Sequence, residues 1–239
     1  MLDDASTRVQ EAAAYAIGTD ERYGAQSALE ARLSSAEPVA AMAAWALAEM
    51  HDSVPPPVFL RALRSSYPRV RIAALNGLGN HDGDDARESV ERALRDDHAG
   101  VRGAAARALG DIGSAQSAPA LAAALDDRDR DVRLAAAHAF SDLHDLEKAP
   151  PALVRAAESS DARLSATAVE ALAEIADPAT IDVLIGRLAS PSRDVRLKVV
   201  EALGSMRSPK ATPALMRALK DADPEVRRAA AEALGEIKE

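Results

Sequence analysis

Residues 226–235 read VRRAAAEALG, and four other segments repeat this pattern of an aliphatic residue, arginine, an alanine-rich run and a closing Leu-Gly or similar pair. These segments read VRIAALNGLG at 70–79, VRGAAARALG at 101–110, VRLAAAHAF at 132–140 and VRLKVVEALG at 195–204. Weaker copies start at Val9, Val39 and Leu164, so the eight opening residues, called anchors below, are 30 to 32 residues apart. A period of this length indicates stacked supersecondary units.

Each unit is predicted to contain two helices. Apolar residues recur 4, 7, 8 and 11 positions after an anchor, which is the stripe of an amphipathic helix, here called helix B. A second apolar run, such as 181–188, precedes most anchors and predicts a helix A. Asp129, Ser192 and Asp223 occupy the N-cap positions of their B helices. The predicted B helices span 7–18, 38–50, 68–80, 99–112, 130–143, 162–175, 193–206 and 224–237.

The pattern D-x-x-V-R-x-x-A-x-x-A-L-G-x-I is nearly intact from Asp223 to Ile237 and is closely matched from Asp129. It resembles the HEAT-like repeats of the short bacterial type, also named for phycobilisome lyases, and the resemblance covers essentially the whole chain. It implies an all-α fold, a right-handed α-solenoid of about eight HEAT-like helix pairs. The first anchor is only nine residues into the chain, so the first pair lacks its A helix. Since a solenoid has no interior boundary, we expect one domain over residues 1–239.

Composition and charge exclude several classes of protein. The chain carries a net charge of −9 and no cysteine, which excludes disulfides and cysteine-ligated metal sites. No histidine is followed by glutamate, so we predict no metal, no cofactor and no enzymatic activity. No stretch approaches the ~20 apolar residues of a membrane span, and the N-terminus lacks the features of a signal peptide. We therefore expect a cytoplasmic protein.

An arginine follows the anchor in five of the eight units and is replaced by Gln10, Ala40 and Ser165 in the others. At this position the aliphatic stem lies along apolar surface while the guanidinium reaches a carboxylate in a neighbouring turn. The predicted acceptors are Asp131, Asp194 and Glu225. In the family that the chain resembles, such residues form a structural ladder between repeats. The five ladder arginines are Arg71, Arg102, Arg133, Arg196 and Arg227.

The position six residues after each anchor points away from the core of helix B. In HEAT-like solenoids the B helices line the concave face, so the resemblance places these side chains in one strip on that face. The strip changes from aromatic through basic to acidic, and we call it the plus-six strip: Tyr15, Trp45, Asn76, Arg107, His138, Glu170, Glu201 and Glu232. Ile72, Leu134 and Leu197, two residues after their anchors, are predicted to add apolar patches. The alternative is that the strip is ordinary solvated surface.

The densest basic run is Arg61, Arg64, Arg69 and Arg71, across one turn between helices. It is interpreted either as a solubilising surface with one ladder arginine or as a contact for an acidic partner. The negative net charge argues against binding nucleic acid, because phosphate contacts supply most of that affinity. We predict no contact with a membrane.

The function predicted from the sequence is a monomeric scaffold that binds a protein or peptide on its concave face. Because the chain starts directly on a B helix, we expect it to be the C-terminal part of a larger bacterial protein. Two alternatives stay open, namely an accessory domain of an enzyme whose catalytic part precedes Met1, and a lyase-type protein that handles tetrapyrroles. The second alternative requires a deep apolar pocket.

Overall fold

The computed structural model describes residues 2, 4, 6–19, 26–50, 53–81 and 86–237, and within these ranges its regular structure is helical. Long helices alternate with short ones along the chain. The long helices are α1 Thr7–Thr19, α3 Glu37–Glu49, α5 Pro68–Gly79, α7 Ala99–Ile112, α9 Arg130–Asp142, α11 Ala162–Ile175, α13 Arg193–Ser205 and α15 Pro224–Ile237. The short helices are α2 Gln26–Arg32, α4 Pro56–Ala62, α6 Arg87–Ala93, α8 Ala118–Ala124, α10 Pro151–Ala157, α12 Ile181–Arg187 and α14 Thr212–Ala218.

The long helices are the predicted B helices, and their observed bounds lie within one residue of the predicted ones. Two of the predicted N-caps, Asp129 and Asp223, also cap their B helices in the structure. The Asp129 side chain accepts hydrogen bonds from the N–H groups of Asp131 and Val132, and Asp223 accepts from Glu225 and Val226. A carboxylate at this place satisfies N–H groups that have no partner inside the helix.

The chain divides into two compact units, unit 1 at Met1–Ser117 and unit 2 at Ala118–Glu239. In unit 1 the B helices α1, α3, α5 and α7 pack side by side, and each of the short helices α2, α4 and α6 packs on the B helix that follows it. Unit 2 repeats this arrangement, with α9, α11, α13 and α15 in one layer and α8, α10, α12 and α14 in the other. The single domain over residues 1–239 includes positions outside the described residues and stays a prediction.

The core lies between the two layers of each unit. Seven of the eight anchors are buried, and the packing around them consists mostly of alanine, leucine and valine. Small residues let neighbouring B helices approach closely. At Gly204 of α13 an added methyl group would lie 3.0 Å from the Cα of Ala233 in α15. Phe59 of α4 similarly fills the space above Gly77 of α5.

Val9 is the exception among the anchors, because 39% of its surface is exposed. In the described part of the chain no helix precedes α1, so α1 packs on α3 without an A helix of its own. This arrangement agrees with the sequence-based expectation that the first helix pair lacks its A helix.

Candidate functional site

Two of the five ladder arginines, Arg71 and Arg196, bind carboxylates that lie 25 residues further along the chain. The guanidinium of Arg196 donates to both carboxylate oxygens of Asp221, at 2.8 and 3.0 Å. Arg71 forms the same two-point contact with Asp96, at 2.8 Å to each oxygen. The predicted acceptors Asp131, Asp194 and Glu225 were therefore wrong for these contacts. They begin the arginine's own helix or the next one, whereas the actual acceptors lie in the turn before the next B helix.

A second set of contacts ties each ladder arginine to its own turn. Arg102 donates to the carbonyl of Asp96, Arg133 to that of Asp127 and Arg227 to that of Asp221, at 2.7 to 2.9 Å. Asp96 and Asp221 are thus held on two sides, by one arginine at the side chain and by the next at the carbonyl. The ladder therefore connects consecutive repeats within each unit through the turns between their helices.

Ser165 replaces the ladder arginine in the sixth repeat and is completely buried. Its hydroxyl donates to the carbonyl of Ala157 at 2.5 Å. Arg187, from the A helix of the following repeat, donates to this hydroxyl at 3.2 Å. Other repeats carry alanine at the position of Arg187. The sequence predicted that the ladder arginine is missing at position 165. Arg187, which belongs to the following repeat, supplies a guanidinium there instead.

The acids of the ladder are stabilised in their charged form. Hydrogen bonding to Arg196 lowers the pKa of the Asp221 carboxyl, and this effect outweighs the opposing effect of partial burial. Burial alone would raise the pKa of Asp96, but hydrogen bonds from Arg71 and from the His98 N–H hold it below its ordinary value. The same Asp221 interaction raises the pKa of Arg196. Asp96 and Asp221 are therefore ionised at neutral pH.

The first half of the plus-six strip lies in unit 1. The rings of Tyr15 and Trp45 stack with centroids 5.2 Å apart and planes 8° from parallel. Tyr15 is 53% exposed, whereas Trp45 is half-buried beneath it. Asn76 and Arg107 are exposed on the same helix layer. The structure thus brings together two of these four side chains as an aromatic pair on α1 and α3.

The second half of the strip lies in unit 2, where three of its members line one open depression. The depression lies above α9, α11 and α13 and has a volume of about 590 Å³. The fourth member, Glu232, does not line it. Lys198, which sequence reasoning missed, bridges Glu170 at 2.8 Å and Glu201 at 3.2 Å. Its pKa is raised by the hydrogen bond to Glu170. The lining residues are His138, Ser141, Asp142, Glu170, Ala173, Glu174, Lys198, Glu201, Ala202 and Ser205.

The charge of this depression is negative. Four carboxylates face one ammonium group, which leaves an excess of three negative charges while His138 is neutral. His138 lies 3.4 Å from Asp142 on the same helix and is mostly exposed. Glu232 is paired instead with Arg228 at 2.7 Å. The acidic depression, as we call it, is suited to a cationic side chain.

The predicted apolar patches are only partly exposed. Leu134 is buried, and Ile72 and Leu197 are half-buried. The prediction that Leu134 forms part of an apolar binding surface was therefore wrong, because its side chain is buried. Among the described residues no group of histidine and acidic side chains has the arrangement of a metal site. No helix there is long and apolar enough to cross a membrane.

Three further grooves lie on the A-helix side, two in unit 1 and one in unit 2. One groove between α4 and α6 has a volume of about 370 Å³, and the groove between α12 and α14 has about 280 Å³. A third, of about 390 Å³, is lined from α2 to the start of α5. Sequence reasoning identified the basic run at its edge, but it did not predict the grooves.

Solved structures show that other proteins share this fold. A comparison with curated proteins finds no match. Two crystal structures of engineered proteins from the Northeast Structural Genomics Consortium share the fold. The first shares 23% sequence identity with this chain, with a TM-score of 0.63, and the alignment covers 99% of this chain and 76% of the engineered protein. The second shares 22% sequence identity, with a TM-score of 0.52, and the alignment covers 89% of this chain and 96% of the engineered protein.

The family model for HEAT repeats matches residues 55–141 and 181–239, which is more than half of the chain. Its matched regions contain ten of the fifteen α-helices that the structure describes, α4 to α9 and α12 to α15, in full or in large part. They also contain the ladder pairs Arg71–Asp96 and Arg196–Asp221. The alternating helices, the ladder and this match agree on an α-solenoid, and the chain belongs to the family of HEAT repeat proteins.

Proposed function

We propose that this protein is an interaction scaffold that binds a peptide segment of a partner protein on the exposed face of its B helices. The observation that carries the proposal is the acidic depression of unit 2. It is open, it spans three consecutive B helices, and it has an excess of negative charge. A segment with basic side chains is the ligand that complements such a surface.

Lys198 tunes the depression for this role. It pairs with both Glu170 and Glu201 and so brings the two carboxylates together above α11 and α13. An incoming arginine or lysine can share these oxygens or bind Asp142 and Glu174, which have no such bridge to Lys198. Because the lining side chains are partly exposed, the interaction is screened by salt and contributes more to specificity and association rate than to affinity.

The aromatic pair in unit 1 supports the same function. Large exposed aromatic side chains are enriched at the energetic centres of protein interfaces. Tyr15 lies flat on Trp45 and keeps an accessible ring surface, in an otherwise alanine-rich layer. This pair offers an apolar partner residue a preformed contact surface. Asn76 and Arg107 add polar positions in the same unit.

The surface argues against the other functions. A net charge of −9 and an acidic depression oppose the binding of nucleic acid. The depression is lined largely by charged and small side chains, which does not suit an apolar tetrapyrrole. We further propose that the chain acts as a monomer in the cytoplasm and carries no catalytic site of its own.

The direct test uses a fluorescein-labelled peptide of alternating lysine and leucine, titrated with the full chain and followed by fluorescence polarisation. The double variant Glu170→Gln/Glu201→Gln removes two carboxylates and should weaken binding by about tenfold or more. Glu232→Gln is the matched control, because it removes a carboxylate of the same strip outside the depression. A peptide with glutamine for lysine should not bind.

If Glu232→Gln weakened binding as much, for each carboxylate removed, as the double variant does, net charge, and not this depression, would attract the peptide. Equal binding of the lysine and glutamine peptides would contradict the proposal altogether. Circular dichroism of each variant ensures that the comparison is made between folded proteins.

A further inference from the structure

The groove between α4 and α6 in unit 1 combines an apolar floor with a basic rim. Its volume is about 370 Å³. Leu60, Leu63 and Ala93 form the apolar floor, and three arginines lie around them. The three, Arg64, Arg71 and Arg92, face one carboxylate, Asp96, among the lining residues. We call this site the arginine groove.

The three arginines differ in how they are satisfied. Arg71 is neutralised by its two-point contact with Asp96. Arg92 donates to the Ser89 hydroxyl at 2.7 Å and to the Glu88 carbonyl at 3.2 Å, which are uncharged acceptors. The Arg64 side chain is exposed and makes no hydrogen bond or ion pair with any residue that the structure describes. Among the described residues, therefore, neither Arg64 nor Arg92 has a carboxylate partner, and both border the groove.

The groove between α12 and α14 in unit 2 provides an internal comparison. It occupies the same place in its repeats, and each of its seven lining residues has a counterpart among the nine that line the arginine groove. Leu188 corresponds to Leu63, and Arg217 corresponds to Arg92. Ala189, however, stands where the arginine groove has Arg64. The two grooves share the apolar floor and differ in the charge of the rim.

The neighbouring groove of unit 1 shows how the same arginine position is neutralised elsewhere. Arg61 occupies in α4 the place that Arg92 has in α6, and it forms an ion pair with Glu30 of α2 at 2.8 Å. Arg155, at the same place in α10, lies 3.4 Å from Asp126. In both cases a carboxylate from the preceding repeat compensates the arginine. Arg92 instead binds uncharged groups of its own helix.

We propose that the arginine groove is a second docking site, which binds an acidic segment of a partner protein in which an aspartate or glutamate lies next to a leucine-like residue. Arg64 and Arg92 match the carboxylate, because guanidinium groups bind carboxylates in a two-point geometry. Leu60 and Leu63 match the aliphatic side chain. A free anion fits the rim but leaves the apolar floor uncovered, so the peptide is the better complement.

This site is independent of the acidic depression. It lies on the A-helix layer of unit 1, it has the opposite charge, and none of its residues belongs to the plus-six strip. A failure of the peptide test for the acidic depression therefore does not decide the arginine groove, and the reverse also holds.

The test uses a fluorescein-labelled peptide of alternating glutamate and leucine, titrated with the full chain by fluorescence polarisation. Arg64→Ala and Arg92→Gln should each weaken binding by about fivefold to tenfold, because each removes one charge-assisted contact. Arg217→Gln is the matched control in the groove of unit 2 and should leave binding unchanged. Both Arg64 and Arg92 are exposed, so these variants are expected to fold.

A gain of binding provides the sharper measurement. Ala189 is exposed, and Ala189→Arg gives the groove between α12 and α14 the rim of the arginine groove. This variant should bind a second equivalent of the peptide, with a stoichiometry that isothermal titration calorimetry measures directly. In combination with Arg64→Ala the original groove should bind about fivefold to tenfold more weakly. The tighter of the two sites should then be the engineered one, which depends on Arg217.

Four results would overturn the proposal. The first is the absence of binding by the wild-type chain, and the second is unchanged affinity in Arg64→Ala. The third is complete displacement of the peptide by inorganic phosphate at millimolar concentration, which would identify a simple anion site. A glutamine-leucine peptide that binds as well as the glutamate-leucine peptide would likewise exclude the charge recognition on which the proposal depends.

Discussion

Arg196→Ala removes the guanidinium that joins α13 to the turn before α15. The side chains of Arg196 and Asp221 are only 16% and 13% exposed, and they share two hydrogen bonds of 2.8 and 3.0 Å. Hydrogen bonds to charged groups contribute about 1.5 to 3 kcal/mol, and leaving a partly buried carboxylate without its partner adds a desolvation cost. We expect the free energy of unfolding to fall by about 2 to 3 kcal/mol.

Arg228→Ala is the matched control, because Arg228 lies in α15, makes two ion pairs and is 60% exposed. Exposed pairs contribute little, so this change should cost less than about 0.5 kcal/mol. Urea denaturation followed by circular dichroism measures both variants. A double-mutant cycle with Asp221→Asn should give a coupling energy of about 1 to 2 kcal/mol between residues 196 and 221.

The pH dependence provides an independent check on the same pair. Because Arg196 lowers the pKa of Asp221, the contribution of the pair is fully present above the unfolded pKa of about 3.9. It is lost as the pH falls through the lower folded pKa. The difference between wild type and Arg196→Ala should therefore be constant from neutral pH to about pH 5 and shrink in more acidic solution. An equal cost for Arg196→Ala and Arg228→Ala, or a difference that grows in acid, would refute this reasoning.

Gly77→Ala should destabilise the protein by about 1 to 3 kcal/mol, because its methyl group would lie 2.4 Å from the ring of Phe59. Gly186→Ala, with nothing within 4 Å of the new methyl group, should instead stabilise it by about 0.5 to 1 kcal/mol; thermal melts of the two variants check the opposite signs. Tyr15→Ala should shift the emission of Trp45, the one tryptophan of the chain, to longer wavelength, because water then reaches the indole ring that Tyr15 covers; unchanged emission would contradict the stacked arrangement. Amide hydrogen exchange should be faster in α1 than in α7, because no A helix packs on α1 in the part of the chain that the structure describes; equal protection would show that α1 is fully capped.

The repeat pattern was sufficient to predict the helices. Apolar spacing and N-caps are local properties, so the bounds of all eight B helices lie within one residue of the prediction. The buried anchors follow from the same periodicity, apart from Val9, whose exposure depends on the absence of a preceding helix among the described residues. The HEAT repeat family was likewise recognisable from the pattern, because each repeat presents its core residues in the same order.

The partners of the ladder arginines show what local patterns do not specify. Asp194 and Glu225 lie close to ladder arginines in sequence, yet Arg196 binds Asp221, which is 25 residues away. The recurrence of this spacing at Arg71 and Asp96 was visible in the sequence, but it became meaningful only when the turn of the next repeat was placed beside the arginine. Helix periodicity determines on which face of its own helix a side chain lies. It does not determine the distance from that side chain to residues of the adjacent repeat.

The candidate sites depend on the same distances between repeats. The sequence alone determined the helices, the family and the residues of the plus-six strip, because these follow from periodicity along one chain. Only the tertiary structure decided that Lys198 joins Glu170 to Glu201, that Tyr15 stacks on Trp45, and that Arg64 borders a groove while Leu134 is covered. These contacts arise where neighbouring helices meet, and the geometry of that meeting is set by the packing of small core residues across repeats.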